Sequence, residues 1–453
     1  MAMIYLLIIT FFSVFSMYLL AVAAVRTNVR SFEGIARQLF PGGKRAFSYW
    51  VAFIRWFYSF GACVGYVISV GDCLTPIFAE AHRRQPDNKA IAYFDSTSGR
   101  RLLMSLIWLC IMLPLVIPKH IDSLRYASAF AVACMSYFVV VIIVHSSIHG
   151  LPEHKHNLIL SGNQNEDEPG PNIYFFRTGN SALSGLGVYC FAYVCQINAM
   201  EALWDMRPEV RSVKNFTIAS FIGMMICGTL YVLVSVFGYF DFGSEDLASN
   251  SILRMYNPLS EPEVMLAYVG VLVKLCVSYA LLSIASRNAI YYVIGWQTRY
   301  RVPRLKRRKL NDEEVGNQNG EMQEMEDFQK VKDSSNMPVD VDDGELVNVE
   351  NNQFVDNIPF WQHLLVVVIL AAVKLLCGLF VPNIRIVFGF TGAISGGFLG
   401  FIFPSLFCMY SGNFTLREVG WFNYIMTYLL LICGVIAVVF GTGATIYSTA
   451  TDS

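Results

Sequence analysis

Ten stretches of this sequence are too long and too apolar to be explained as anything but helices that cross a lipid bilayer. They run about 1–25, 49–77, 102–117, 126–147, 179–199, 216–240, 265–295, 359–381, 385–409 and 422–447. Roughly 20 residues at 1.5 Å rise cross the hydrocarbon core. Inside that core every backbone amide must find its partner within the protein, which leaves helices or closed barrels, and runs of this length suit helices. Composition agrees: 55% of residues are apolar and 15% charged, against about 25% charged in a soluble chain. The fold class expected is an all-α polytopic membrane protein. Its third stretch is short and carries Pro114 near its end, which makes it the weakest of the ten as a span.

The charges left over are distributed by side. Lys and Arg in alternate loops number 20 on one face and 9 on the other, with four inside spans. The positive-inside rule makes the rich face cytosolic, so loops 26–47, 118–125, 201–215, 297–358 and 411–421 are expected in the cytosol. The eleven cysteines all fall in or at the edge of spans and read as small apolar packing residues.

Between spans the sequence is informative in three places. Phe32, Ile35, Leu39 and Phe40 recur at helical spacing among Arg30, Glu33 and Arg37, the pattern of a short amphipathic helix at the cytosolic interface, ended by Pro41 and Gly42. The outside loop 149–178 is polar and is expected to be irregular; His154 and His156 there lack the convergent ligands of a metal site. Residues 299–358 form one hydrophilic segment, basic from Arg299 to Lys309 and then acidic, which is expected to be disordered, with the basic run on anionic lipid heads. The chain thus divides into spans one to seven (1–298), this loop, and spans eight to ten (359–453). A cleaved leader is the competing reading of residues 1–25, but no positive flank precedes them and the apolar run is longer than a leader needs.

Ionisable groups at membrane depth are costly and mark function by default. Arg55 and Lys374 lie near span ends and are expected to snorkel to an interface, Arg287 to be interfacial, while Lys274 sits mid-span. The fifth span, GNSALSGLGVYCFAYVCQINA over 179–199, is too polar and glycine-rich to face lipid. It is either an unwound segment lining a substrate cavity or a tightly packed interior helix. The ninth, GFTGAISGGFLGFIFP over 389–404, argues close helix approach and a bend at Pro404. Neither a catalytic triad, a phosphate loop nor a zinc-binding pattern is present, so the chain reads as no enzyme, and nothing in it suggests a nucleic-acid partner.

The run from Phe191 to Ala199 resembles the sixth helix of the amino acid/auxin permease family, with Gln196 where that family usually carries His. Gly238–Gly243 with Asn250–Leu253 is similar to its seventh helix and following loop, Ser278–Asn288 to its eighth, with Ala280 in place of a common Pro, and Gly392–Pro404 to its tenth. Within the family, residues 26–45 and 384–410 most resemble trypanosomatid amino acid permeases.

The resemblance implies a LeuT-type inverted-repeat transporter fold with ten spans instead of eleven, the family's first helix being absent. It implies an amino acid substrate held near the midplane by Tyr189, Phe191, Tyr193, Gln196 and Asn198, with Tyr58, Ser59 and Tyr66 facing them, and a coupling ion, H⁺ or Na⁺, at Ser278. Secondary active transport at the plasma membrane or an acidic organelle follows from it. A sensor that binds an amino acid without net flux, and an inactive truncated copy, are the alternatives. Because the first helix would supply amide donors for the substrate carboxylate, the 453-residue chain is expected to transport poorly as written. Oligomeric state is left open.

Overall fold

The computed structural model describes residues 2–29, 31–40, 46–119, 125–150, 158–163, 173–178, 185–249, 252–296, 357–381, 384–412 and 414–451. Ten helical spans cross it: Met3–Thr27, Ala46–Arg84, Thr97–Val116, Tyr126–Gly150, Leu186–Trp204, Val213–Gly243, Pro262–Ile294, Phe360–Phe380, Ile384–Tyr410 and Trp421–Ala450. The chain is a polytopic helical membrane protein, and each span falls on one expected from the sequence.

The order of elements repeats. Spans one to four run as a span, a short helical connector, a long span and two more; spans six to nine run the same way, with connectors Phe32–Leu39 and Ile252–Arg254 in matching places. Packing repeats with it. The second span packs along the seventh and the first along the sixth; the fourth packs on the seventh as the ninth packs on the second. Equivalent spans are five apart in sequence, an odd number, so they cross the membrane in opposite senses. That is an inverted repeat, the architecture expected above.

The first connector is a helix because Ser31 caps it, its Oγ accepting from the Gly34 amide at 3.1 Å. Phe32, Ile35 and Ala36 are buried on one face, and the Phe32 ring meets Phe407 of the ninth span. Glu33 is buried on that same face, which its charge did not suggest. Pro41 and Gly42, expected to end the helix, lie outside the described residues; Leu39 is its last residue.

Prolines reshape two spans. Pro114 lacks an amide and crowds the carbonyl four residues back, and a π-turn over Trp108–Met112 precedes it. In the ninth span two π-turns, Gly392–Gly396 and Phe398–Ile402, precede Pro404. Close approach of the ninth span is real: a Cβ on Gly392 would run into the Gly187 carbonyl, and one on Gly187 into that of Gly389. The fifth and ninth spans therefore cross backbone to backbone.

The loop expected to be irregular contains two paired strands. Leu158–Asn163 and Ile173–Thr178 run parallel, Leu158 opposite Ile173. His154, His156 and nearly all of the 299–358 segment lie outside the described residues. Two of the segment's last residues are described: Ile358 is buried, and its carbonyl accepts from Lys119 Nζ at 3.0 Å.

Candidate functional site: a cavity at a broken helix

The fifth span does not cross as one helix. It starts at Leu186 rather than Gly179, and residues 179–184, Ser181 and Ser184 among them, lie outside the described residues. Its outer part, Leu186–Ala192, ends at Tyr193 (φ −104°, ψ 5°), and helix resumes only at Ala199–Trp204, after a single 3₁₀ turn at Gln196–Asn198. The break frees carbonyls that a continuous helix would satisfy, and an unpaired one at this depth costs several kcal/mol. Side chains from neighbouring spans take them up. The Tyr58 hydroxyl lies 3.3 Å from the Phe191 oxygen and 3.4 Å from that of Val194, and Tyr231 donates to Ala192 at 3.1 Å. Arg55 Nη2 donates to Ile197 at 3.3 Å. The unwound turn is thus held open by three polar side chains, two from the second span and one from the sixth.

A cavity of about 390 Å³ opens at this break, within the range of small-molecule sites, about 300–1,000 Å³. Of the residues expected to hold substrate, Tyr58, Tyr66, Tyr193 and Asn198 line it, and so does Ser278, expected at a coupling ion. Ser278 therefore faces the same space as Tyr66 and Asn198. Tyr193 is anchored by a 2.8 Å hydrogen bond shared with Thr10 of the first span.

The other four are placed elsewhere. Phe191 is not among the lining residues; its ring stacks on Phe388 with centroids 4.1 Å apart and lies 5.3 Å from that of Tyr58. Tyr189 lies against Tyr5. Ser59 is buried, donating to the Arg55 carbonyl one turn back. Gln196 is fully buried off the cavity, and neither its amide oxygen nor its nitrogen has a hydrogen-bond partner. Sequence reading missed Met224, Cys227 and Tyr231 of the sixth span and Leu281 and Leu282 of the seventh. The sixth span is largely exposed along its length, and its sequence was not singled out.

Three of the four cations within the spans are buried and partnered. Arg55 is 3% exposed and pairs with Glu33 at 3.3 Å and, closely, with Glu201 of the fifth span's inner part. Burial among two carboxylates, rather than snorkelling, explains how a guanidinium is tolerated there. Lys374 is 1% exposed, donating to Ser283 at 3.2 Å beneath the Tyr279 ring. Arg287 is buried and donates to the carbonyls of Pro118 and Lys119 at 3.2 and 2.9 Å, capping the turn after the third span. Lys274 lies over the Tyr66 ring, 5.0 Å from its centroid, at the edge of the cavity.

A second ionic cluster lies at the other end of the second span, the end expected to face outside. Asp72 Oδ1 accepts from Arg100 of the third span and from Arg254 of the second connector, each at 2.8 Å. Beyond it, Tyr256 donates to Asp241 at 2.7 Å, and His145 lies 2.8 Å from the same carboxylate. Burial, then the hydrogen bond to Asp241 and its charge, raise the Tyr256 phenol far above its usual range.

An inverted repeat with a helix broken beside a cavity is an architecture that secondary transporters share. The chain belongs to the transmembrane amino acid transporter protein family, whose model matches residues 1–447. That family consists of transporters, not enzymes. Similar curated proteins include vacuolar amino acid transporter 5 of Schizosaccharomyces pombe, 27% identical over 63% of this chain and 60% of that protein. Sodium-coupled neutral amino acid symporter 2 of Danio rerio is 24% identical over 90% of this chain and 68% of its own length. Sodium-coupled neutral amino acid transporter 7 of the same fish is 24% identical over 51% and 45%. The chain thus spans less than two thirds of the first and third of these relatives.

Proposed function

We propose that this protein moves a neutral amino acid across the membrane by alternating access, with the substrate in the cavity at the broken fifth span. The observation that carries this reading is the lining of that cavity. Its hydrogen-bonding side chains are Tyr58, Tyr66, Tyr193, Asn198, Tyr231 and Ser278, the rest is Ala192, Val194, Ile197, Met224, Leu281, Leu282 and two thiols; no described lining residue is charged, and Lys274 lies at the edge over the Tyr66 ring. A basic side chain would meet no anion in this lining and an acidic one only Lys274 at its edge, whereas an apolar or small polar one is matched. The word "neutral" in the names of two relatives points the same way, and the word "vacuolar" in that of another is consistent with an acidic organelle membrane.

Binding tests this first. The purified full chain, screened against L-amino acids by thermal shift, is expected to be stabilised by a neutral subset and not by Lys, Arg, Asp or Glu. Asn198→Ala and Ser278→Ala should each weaken that binding about tenfold or more, the cost of about 1.5–3 kcal/mol for losing a hydrogen bond to a charged ligand group. Gln196→Ala should matter less, since Gln196 does not line the cavity. Stabilisation by charged amino acids alone, or equal affinity in all three variants, would put the site elsewhere. Binding with no exchange across a membrane would favour a sensor.

A further inference from the structure

The ion cluster under the helix break is one positive charge short. Arg55 alone faces two carboxylates: Glu33, contacting Nη1, and Glu201, contacting Nη2. Fully ionised, the three carry a net charge of −1, and Arg55 and Glu33 are almost fully buried. Among the described residues no second cation is in contact. Arg37 is one turn from Glu33 but exposed, Tyr292 of the seventh span is engaged with Ser48, and the first span brings Arg26, which lies at Gly412, and Tyr18. The packed part of the ninth span, Phe403–Tyr410, has no charged residue. A net buried charge calls for a compensating one.

Two atoms say where it goes. Glu201 Oε2 and Arg55 Nε are buried with no hydrogen-bond partner. Glu201 Oε2 is the cluster's one carboxylate oxygen without a donor, because both Glu33 oxygens contact Arg55 and so does Glu201 Oε1. A metal cation needs several oxygens at once; a proton needs one.

We propose that Glu201 is the proton-coupling site of this transporter, an inference that rests on the transport reading above. A proton from the aqueous phase adds to Glu201 Oε2; no other bond forms or breaks, and the cluster becomes neutral as a one-to-one Arg55–Glu33 pair. Glu201 stands on the inner part of the broken span, Ala199–Trp204, one turn from cavity-lining Asn198, while Arg55 stands on the second span and also holds the Ile197 carbonyl. Protonation therefore loosens the tie between the second span and the inner part of the fifth. Loss of the proton restores it.

Two measurements on the full chain in lipid test this. Infrared difference spectra between alkaline and acid pH should show the C=O band of a protonated buried carboxyl that disappears in Glu201→Gln and persists in exposed Glu209→Gln. In proteoliposomes, Glu201→Gln should keep amino acid counterflow yet lose at least tenfold of the accumulation driven by a pH gradient, while Glu201→Asp, which keeps the acid and guards against misfolding, should retain both the band, shifted, and the accumulation. A band that survives Glu201→Gln, a band lost only in Glu33→Gln, or pH-driven accumulation intact in Glu201→Gln would overturn the assignment. A wild-type protein with the Glu201 band but no counterflow would keep the proton site and refute transport instead.

Discussion

Arg55 and Asp72 stand on one continuous helix, Ala46–Arg84, and each is held by two partners of opposite charge. Seventeen residues apart, they are separated by about 25 Å at 1.5 Å per residue. Tyr58 and Tyr66, which line the cavity, lie between them. Arg55 ties this helix to the first connector and the inner part of the broken span; Asp72 ties it to the third span and the second connector. The inverted repeat thus places one ionic clasp below the cavity and one above it, with opposite surplus charge.

The inner clasp is expected to hold the fold as well as the site. Arg55→Ala leaves two buried carboxylates facing each other, and breaking a buried pair costs about 3–5 kcal/mol. Arg55→Lys keeps the charge but not the two-pronged fork that reaches Glu33, Glu201 and Ile197 together. Apparent melting in detergent should fall strongly for the first variant and less for the second. Equal melting of all three proteins would mean that the clasp carries no load.

The outer clasp has a native reporter. Cys73, next to Asp72, is a fully buried free thiol. Asp72→Asn leaves Arg100 and Arg254 side by side without their anion, and should release the second connector. Alkylation of Cys73 by a membrane-impermeant maleimide, read by mass spectrometry, is expected to rise severalfold in this variant. Unchanged labelling would place the outer barrier elsewhere.

The crossing of spans five and nine has no room for a methyl group. Gly392→Ala and Gly187→Ala each meet backbone, which cannot rotate away as a side chain can, and overpacking of this kind costs typically about 1–3 kcal/mol. Gly443→Ala, where the added carbon meets nothing, is the matched control. The account expects lower yield and melting for the first two and wild-type behaviour for the third.

Tyr256 gives the outer mouth a dependence on pH of known sign. Its raised phenol means that the folded protein holds this proton more tightly than the unfolded chain does. That contribution is complete below the unfolded value, about pH 10, and is lost as pH rises beyond it. Tyr256→Phe also removes the hydrogen bond to Asp241, worth about 1.5–3 kcal/mol to a charged acceptor. The stability gap between wild type and variant should be open at neutral pH and narrow in the alkaline range; a gap that widened would reverse the assignment.

The helices were legible in the sequence because apolar run length is a strong pattern that needs no partner to read, and the fifth span stood out by its glycines and amides. Side-chain direction was not legible. Phe191, Tyr193 and Gln196 lie in one nine-residue run, yet only Tyr193 reaches the cavity, because the chain leaves helical geometry at Tyr193 and helical spacing no longer predicts facing. Arg55 was misjudged for a related reason: its position near a span end suggested water, whereas its partners, Glu33 and Glu201, come from segments 22 residues before and 146 after it. Tyr231 was missed because its span otherwise reads as lipid-facing, and its role is to satisfy a carbonyl freed by a break in another helix.

The central claim is that a neutral amino acid occupies the cavity at the break and crosses through it, and counterflow tests it most directly. Proteoliposomes holding the full chain and loaded with an unlabelled neutral amino acid identified by thermal shift should take up the labelled form transiently above equilibrium. The overshoot should be abolished or cut about tenfold by Asn198→Ala, which alters the cavity alone. No overshoot from a folded protein that binds the amino acid, or an undiminished one in Asn198→Ala, would contradict the account.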